Sequence, residues 1–183
     1  MLRQLLNKPA NRRKASGFTI VELLIVVVVI GVLAAIVIVA YNGITQQARA
    51  TATGDALRNV ASALQFFARS DALATWPAES SYGGGNPSIA TVIANEPTLA
   101  SSLRAAPSVA DIPSNNWRYD NDGDSYDGCS SSGGGINILI TGMTTETIQA
   151  VDDAVDDGDL ACGNVRISGT TILVYSVANT NAL

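Results

Sequence analysis

Residues 18–40 read FTIVELLIVVVVIGVLAAIVIVA, apolar at nearly every position and carrying a single charge, Glu22. As a helix rising 1.5 Å per residue, this run would be roughly 35 Å long, enough to cross a hydrocarbon core of about 30 Å. Its β-branched centre, Val26-Val27-Val28-Val29-Ile30, would disfavour a helix in water. In lipid the preference reverses, because a lone strand leaves its backbone groups unpaired and a helix does not. The stretch therefore reads as a membrane-spanning helix. A carboxylate inside it costs about 2.5–3.5 kcal/mol near the centre and less near an end, so Glu22 calls for a partner.

The charge pattern fixes an expected orientation. Arg3, Lys8, Arg12, Arg13 and Lys14 all precede the apolar run, with no acidic residue among them. Residues 18–183 hold six arginines, no lysine and all sixteen carboxylates, a net −10. By the positive-inside tendency the N-terminus stays cytoplasmic and the acidic remainder is exported. An acidic exterior argues against nucleic acid as a direct ligand. The chain has no histidine. That removes Ser-His-Asp and Cys-His catalysis and an ordinary zinc site, so a non-enzymatic role is expected. Two cysteines, Cys129 and Cys162, both lie on the side read as exported. An even, isolated pair in an oxidising compartment reads as one disulfide, with two reduced buried thiols as the alternative. Closing a loop of about 34 residues would stabilise the fold by roughly 3–4 kcal/mol.

A cleavable secretory signal has only 7–15 apolar residues, fewer than are present here, and a plain signal anchor gives no reason for Glu22. The string KASG-FTIVELLIVVVVIGVLAAI resembles the N-terminus of type IV prepilins and of the pseudopilins of type II secretion. The resemblance implies a leader, residues 1–17, removed by prepilin peptidase between Gly17 and Phe18. It further implies N-methylation of Phe18, a small or polar Thr19, and Glu22 as the assembly glutamate at the fifth mature position. A physical reading of Glu22 agrees. Cleavage leaves a cationic amino group at Phe18, and a carboxylate one turn further along meets the amino group of a staggered neighbour. In a bundle of low effective dielectric that pair sets register, because leaving either charge alone is costly. The chain departs from many pilins in having no proline in the second half of the apolar helix and in having a longer leader.

Beyond Tyr41-Asn42-Gly43, Leu57, Val60, Leu64 and Phe67 recur at helical spacing. One helix is expected over residues 18–75, transmembrane over about 18–40 and amphipathic after that, with Asn42-Gly43 and Gly54 as points of bending. Trp76-Pro77 ends it. Residues 76–183 form the expected head. Residues 79–116 are a loop rich in Ser, Gly, Pro and Asn with one short helix over 98–105. Strands are expected at 116–119, 136–140, 165–168 and 171–177.

Asp120, Asp122, Asp124 and Asp127 fall in the turn-forming DNDGDSYDG. They are read either as a calcium loop, since hard cations want several oxygens in a flexible arc, or as a solvated hairpin loop. Ser125 stands where an EF-hand would have glycine. A helix over residues 144–157 is capped by Thr144 or Thr145 and closed by a left-handed Gly158. Asp156 and Asp157 then sit at the negative end of its dipole, to be offset by Arg166, by backbone donors of the next loop, or by a cation. The segment from Ile148 to Arg166 is similar to a stretch of pilin-like heads, which makes Cys129–Cys162 a natural staple between the hairpin and that loop.

The fold expected is α+β: a long N-terminal helix on an antiparallel sheet of about four strands, as in pilins. The function expected is a structural subunit of a type IV pilus, with a secretion or DNA-uptake pseudopilin as the alternative and a monomeric anchored protein as a third reading. The resemblance implies self-association into a surface fibre. It also implies a peptidase, an inner-membrane platform protein, an assembly ATPase and membrane lipid as partners. No cofactor is expected apart from the calcium reading, and nucleic acid only indirectly, through uptake.

Overall fold

A computed structural model describes residues 17–70, 75–109, 112–121 and 135–179. The chain divides into two units, Met1–Tyr41 and Asn42–Leu183, and helix α1 (Ile20–Ser70) contributes residues to both.

In the first unit every described residue is exposed. In the second, α1 buries one stripe, Ala50, Thr53, Gly54, Leu57, Val60, Ala61, Ala63, Leu64, Phe67 and Ala68, at the three- and four-residue spacing of an amphipathic helix. The stripe packs into a core with Trp117, Tyr119, Ile136, Ile138, Ile140, Leu173 and Val177. These last come from a four-stranded antiparallel sheet of β1 (Trp117–Asp120), β2 (Gly135–Thr141), β3 (Val165–Ser168) and β4 (Ile172–Asn179), in the order β1-β2-β4-β3. Side-chain hydrogen bonds also tie α1 to its neighbours. Gln65 Nε2 donates to the Val177 carbonyl at 3.1 Å, and an Arg58 guanidinium nitrogen to the Val155 carbonyl at 3.3 Å.

The long helix, the four antiparallel strands and the α+β class agree with expectation. Three details differ. The segment between α1 and the sheet carries two helices, α2 (Ile89–Asn95) and α3 (Pro97–Ser102), where one was expected. Ser88 caps α2 by accepting from the Thr91 N–H at 3.1 Å, and Pro97 starts α3, where a missing N–H costs nothing. Leu99 of α3 is fully buried. Helix α4 (Thr145–Val155) begins at a Thr144 cap but stops two residues before Asp157. Asp156 is its C-cap, and Gly158, at φ +84°, turns the chain further on.

The third difference is Gly54, expected as a bend. Helix α1 is continuous through it, and the residue instead makes room for α4: a Cβ built there would overlap Val155 Cγ1. In an open helix Gly→Ala gains about 1 kcal/mol, whereas overpacking costs about 1–3 kcal/mol. Gly54→Ala should therefore lower stability by about 1 kcal/mol or more in thermal unfolding of the full chain in micelles, and Val155→Ala should restore it. Gly43→Ala, with open space around the position, should be neutral or stabilising.

Candidate functional site

Gly17, Phe18 and Thr19 precede α1, and Phe18 is 80% exposed. The scissile bond inferred from sequence thus lies in extended, open chain directly before the first helical turn. Thr19 and Glu22 close that turn reciprocally. The Thr19 N–H donates to Glu22 Oε2 at 2.8 Å and the Thr19 hydroxyl to the same oxygen at 2.9 Å. The Glu22 N–H donates back to Thr19 Oγ1 at 3.2 Å, while the Thr19 carbonyl accepts from Leu23. This is a capping box. It was legible as T-x-x-E ahead of an apolar run, and the sequence reading passed over it. Within one chain, then, the Glu22 carboxylate already accepts from the Thr19 amide and hydroxyl at its own helix start. This offsets part of the cost of a carboxylate at the edge of lipid.

From Ile20 to Tyr41 the helix offers only exposed side chains, nearly all apolar, and its apolar window has a mean hydropathy of 3.5. An apolar surface of this extent marks a membrane or a helix partner. It is the one described helix long and apolar enough to cross a bilayer.

The expected metal and disulfide residues fare differently. Asp122, Asp124, Asp127 and Cys129 lie outside the described residues. Asp120 is fully buried at the end of β1 and accepts from Asn137 Nδ2 at 3.0 Å. Asn137 Oδ1 in turn accepts from the Ser176 hydroxyl at 3.1 Å, and Ser176 Oγ accepts from Arg166. Asp120, Asn137 and Ser176 are register partners across β1, β2 and β4, so a polar ladder with an anion at one end and a cation at the other crosses the sheet. Cys162 is half-buried in the turn before β3, its N–H donating to the Asp159 carbonyl at 2.9 Å.

Arg166 points into that ladder, and the acidic end of α4 is served by the following loop. Asp156 Oδ2 accepts the Asn164 N–H, and the Val165 N–H at 2.9 Å; its Oδ1 accepts Asn164 Nδ2 at 3.3 Å. Asp157 Oδ1 accepts the Asp159 N–H at 3.0 Å. Backbone donors are thus one of the three offsets expected for these aspartates.

Asp152, one turn earlier, is different. It is fully buried, and neither carboxylate oxygen has a hydrogen-bond partner among the described residues. Burial, and after it the charges of Asp156, Asp157 and Asp153, push its carboxyl up to about 6, with the Gly158 N–H pulling weakly the other way.

Residues 12–38 match the family described as the prokaryotic N-terminal methylation motif. No curated protein and no solved structure matches the chain. The matched segment contains Gly17, Phe18, Thr19 and Glu22, and a motif of this kind implies processing by prepilin peptidase. The chain therefore carries at its N-terminus the prepilin signature shared by type IV pilins and pseudopilins.

Proposed function

We propose that this protein is a structural subunit of a type IV pilus. It is held in the membrane by α1 with its N-terminus cytoplasmic, cut between Gly17 and Phe18, methylated on Phe18, and assembled into a fibre through Glu22. The observation that carries the reading is the juxtaposition at the start of α1. A carboxylate sits in the first turn of a helix that is apolar and exposed from Ile20 to Tyr41, directly behind an open Gly17–Phe18 bond. In a tethered ectodomain that charge would serve only the cap of its own helix. A staggered bundle has a further use for it, because each new amino terminus needs an anion in a medium where an unpaired charge is expensive. The platform protein and assembly ATPase follow from the same reading, as do an extracytoplasmic head and a Cys129–Cys162 staple.

Intact-mass analysis of the exported protein tests the processing and the staple together. The expected product lacks residues 1–17, carries one methyl on Phe18, takes up no thiol reagent when native and takes up two after reduction. An uncut chain would overturn the processing reading, and native labelling of Cys162 the staple. Electron microscopy of the cell surface with and without the protein tests the fibre. Long fibres lost on deletion support the pilus, and secretion lost without any fibre would reassign the subunit to a pseudopilus.

A further inference from the structure

The acidic end of α4 contains more negative charge than the loop after it neutralises. One carboxylate oxygen from each of Asp152, Asp156 and Asp157 lies within 4.8 Å of the other two. Asp156 and Asp157 spend their other contacts on amides of the turn, which holds them in place. Asp152 is fully buried, and neither of its oxygens makes a hydrogen bond of ordinary geometry among the described residues, the Gly158 N–H pulling on it only weakly. The charges that act on it are all carboxylates, those of Asp156, Asp157 and Asp153. The helix adds its own negative end, since Asp156 is the C-cap. A buried carboxylate with no donor but one weak N–H, surrounded by others of its sign, is a costly arrangement for a protein to keep without a counter-charge.

We propose that Asp152, Asp156 and Asp157 form a binding site for a divalent cation of the calcium class. Calcium bonds oxygen at about 2.3–2.6 Å, so oxygens up to about 5 Å apart share one ion, and its flexible shell takes the remaining oxygens from water or main chain. The ion supplies the counter-charge for Asp152, neutralises the end of α4 and pins the loop that leads into β3.

The test uses the full chain in detergent micelles, with calcium chloride titrated by calorimetry and thermal unfolding followed in chelator and in calcium. The wild type should bind one ion with a Kd in the range of about 10⁻⁴–10⁻³ M, typical of extracellular modules, and melt higher in calcium than in chelator. Asp152→Asn should weaken binding about tenfold or more and abolish the calcium-dependent rise. It should also melt above the wild type in chelator, because it removes an uncompensated buried charge. That last result distinguishes a lost site from a damaged fold. Asp124→Asn should bind as the wild type does. The proposal is overturned by a wild type with no calcium response, by Asp152→Asn binding undiminished, or by loss of binding in Asp124→Asn instead.

Discussion

Glu22→Gln is expected to be inserted, cut after Gly17 and methylated like the wild type, yet to leave the cell without fibres built from it. The substitution is chosen because glutamine keeps the capping box while removing the charge: its side chain still accepts from the Thr19 N–H, as Glu22 does at 2.8 Å. What it takes away is the anion for a neighbour's amino terminus. Removing one partner of a buried pair costs about 3–5 kcal/mol, which is roughly a hundredfold or more in the affinity of each subunit addition. A polymer cannot grow against such a loss repeated at every step. Thr19→Val is the complementary variant. It keeps the charge and loses the cap, at about 1 kcal/mol per helix, so fibres should persist, somewhat less stable to heat. Fibre counts by microscopy, read beside intact mass for processing, decide between the two roles. Normal fibres from Glu22→Gln would remove the pairing account. Loss of fibres from Thr19→Val equal to that from Glu22→Gln would make the cap the element that assembly needs.

The parts of this molecule that were readable in advance are those with a period or a boundary. The apolar run, the Leu57-Val60-Leu64-Phe67 stripe, the aromatic segment at 116–119 and the three later β-branched segments announce themselves by composition or by helical or strand spacing. Strand β2 was the least regular of these, with five consecutive buried positions, because both of its faces are covered: Ile136, Ile138 and Ile140 join the core with α1, while Asn137 and Leu139 are buried outside that cluster. Helix α2 was missed because it has only seven residues among Ser, Gly and Pro, too short for a period to show; its signal was the Ser88 cap.

At the candidate sites the same division holds. Gly17, Phe18 and Glu22 are contiguous in the chain and could be read locally. The ladder from Asp120 through Asn137 and Ser176 to Arg166 depends on strand register, which composition does not carry. Asp152 stood in plain view as D-D-A-V-D-D. Its distinction from Asp153, the one buried and the other exposed, comes from which side of α4 faces the sheet.

Gly163→Ala should be the most damaging single methyl added to the head, at about 3–4 kcal/mol. Two separate costs meet there. The residue has φ +100°, a backbone conformation that alanine adopts only under strain of about 1–3 kcal/mol. In addition, the new Cβ would overlap Asp156 Oδ2, the oxygen that receives the amides of Asn164 and Val165. Displacing it leaves those amides seeking other partners, and hydrogen bonds to a charged group are worth about 1.5–3 kcal/mol each before water compensates. Since β3 begins at Val165, the loss falls where the loop joins the sheet. Gly169→Ala is the control. It too has positive φ, +63°, but nothing lies within 4 Å of its missing Cβ, so only the backbone cost of about 1 kcal/mol applies. For a head spanning residues 76–183 about 4 °C of Tm is lost per kcal/mol. The two variants should therefore melt roughly 12–16 °C and about 4 °C below the wild type, both measured in chelator so that no cation contributes. Equal shifts would mean that backbone strain alone acts at Gly163 and that Asp156 does not hold the turn.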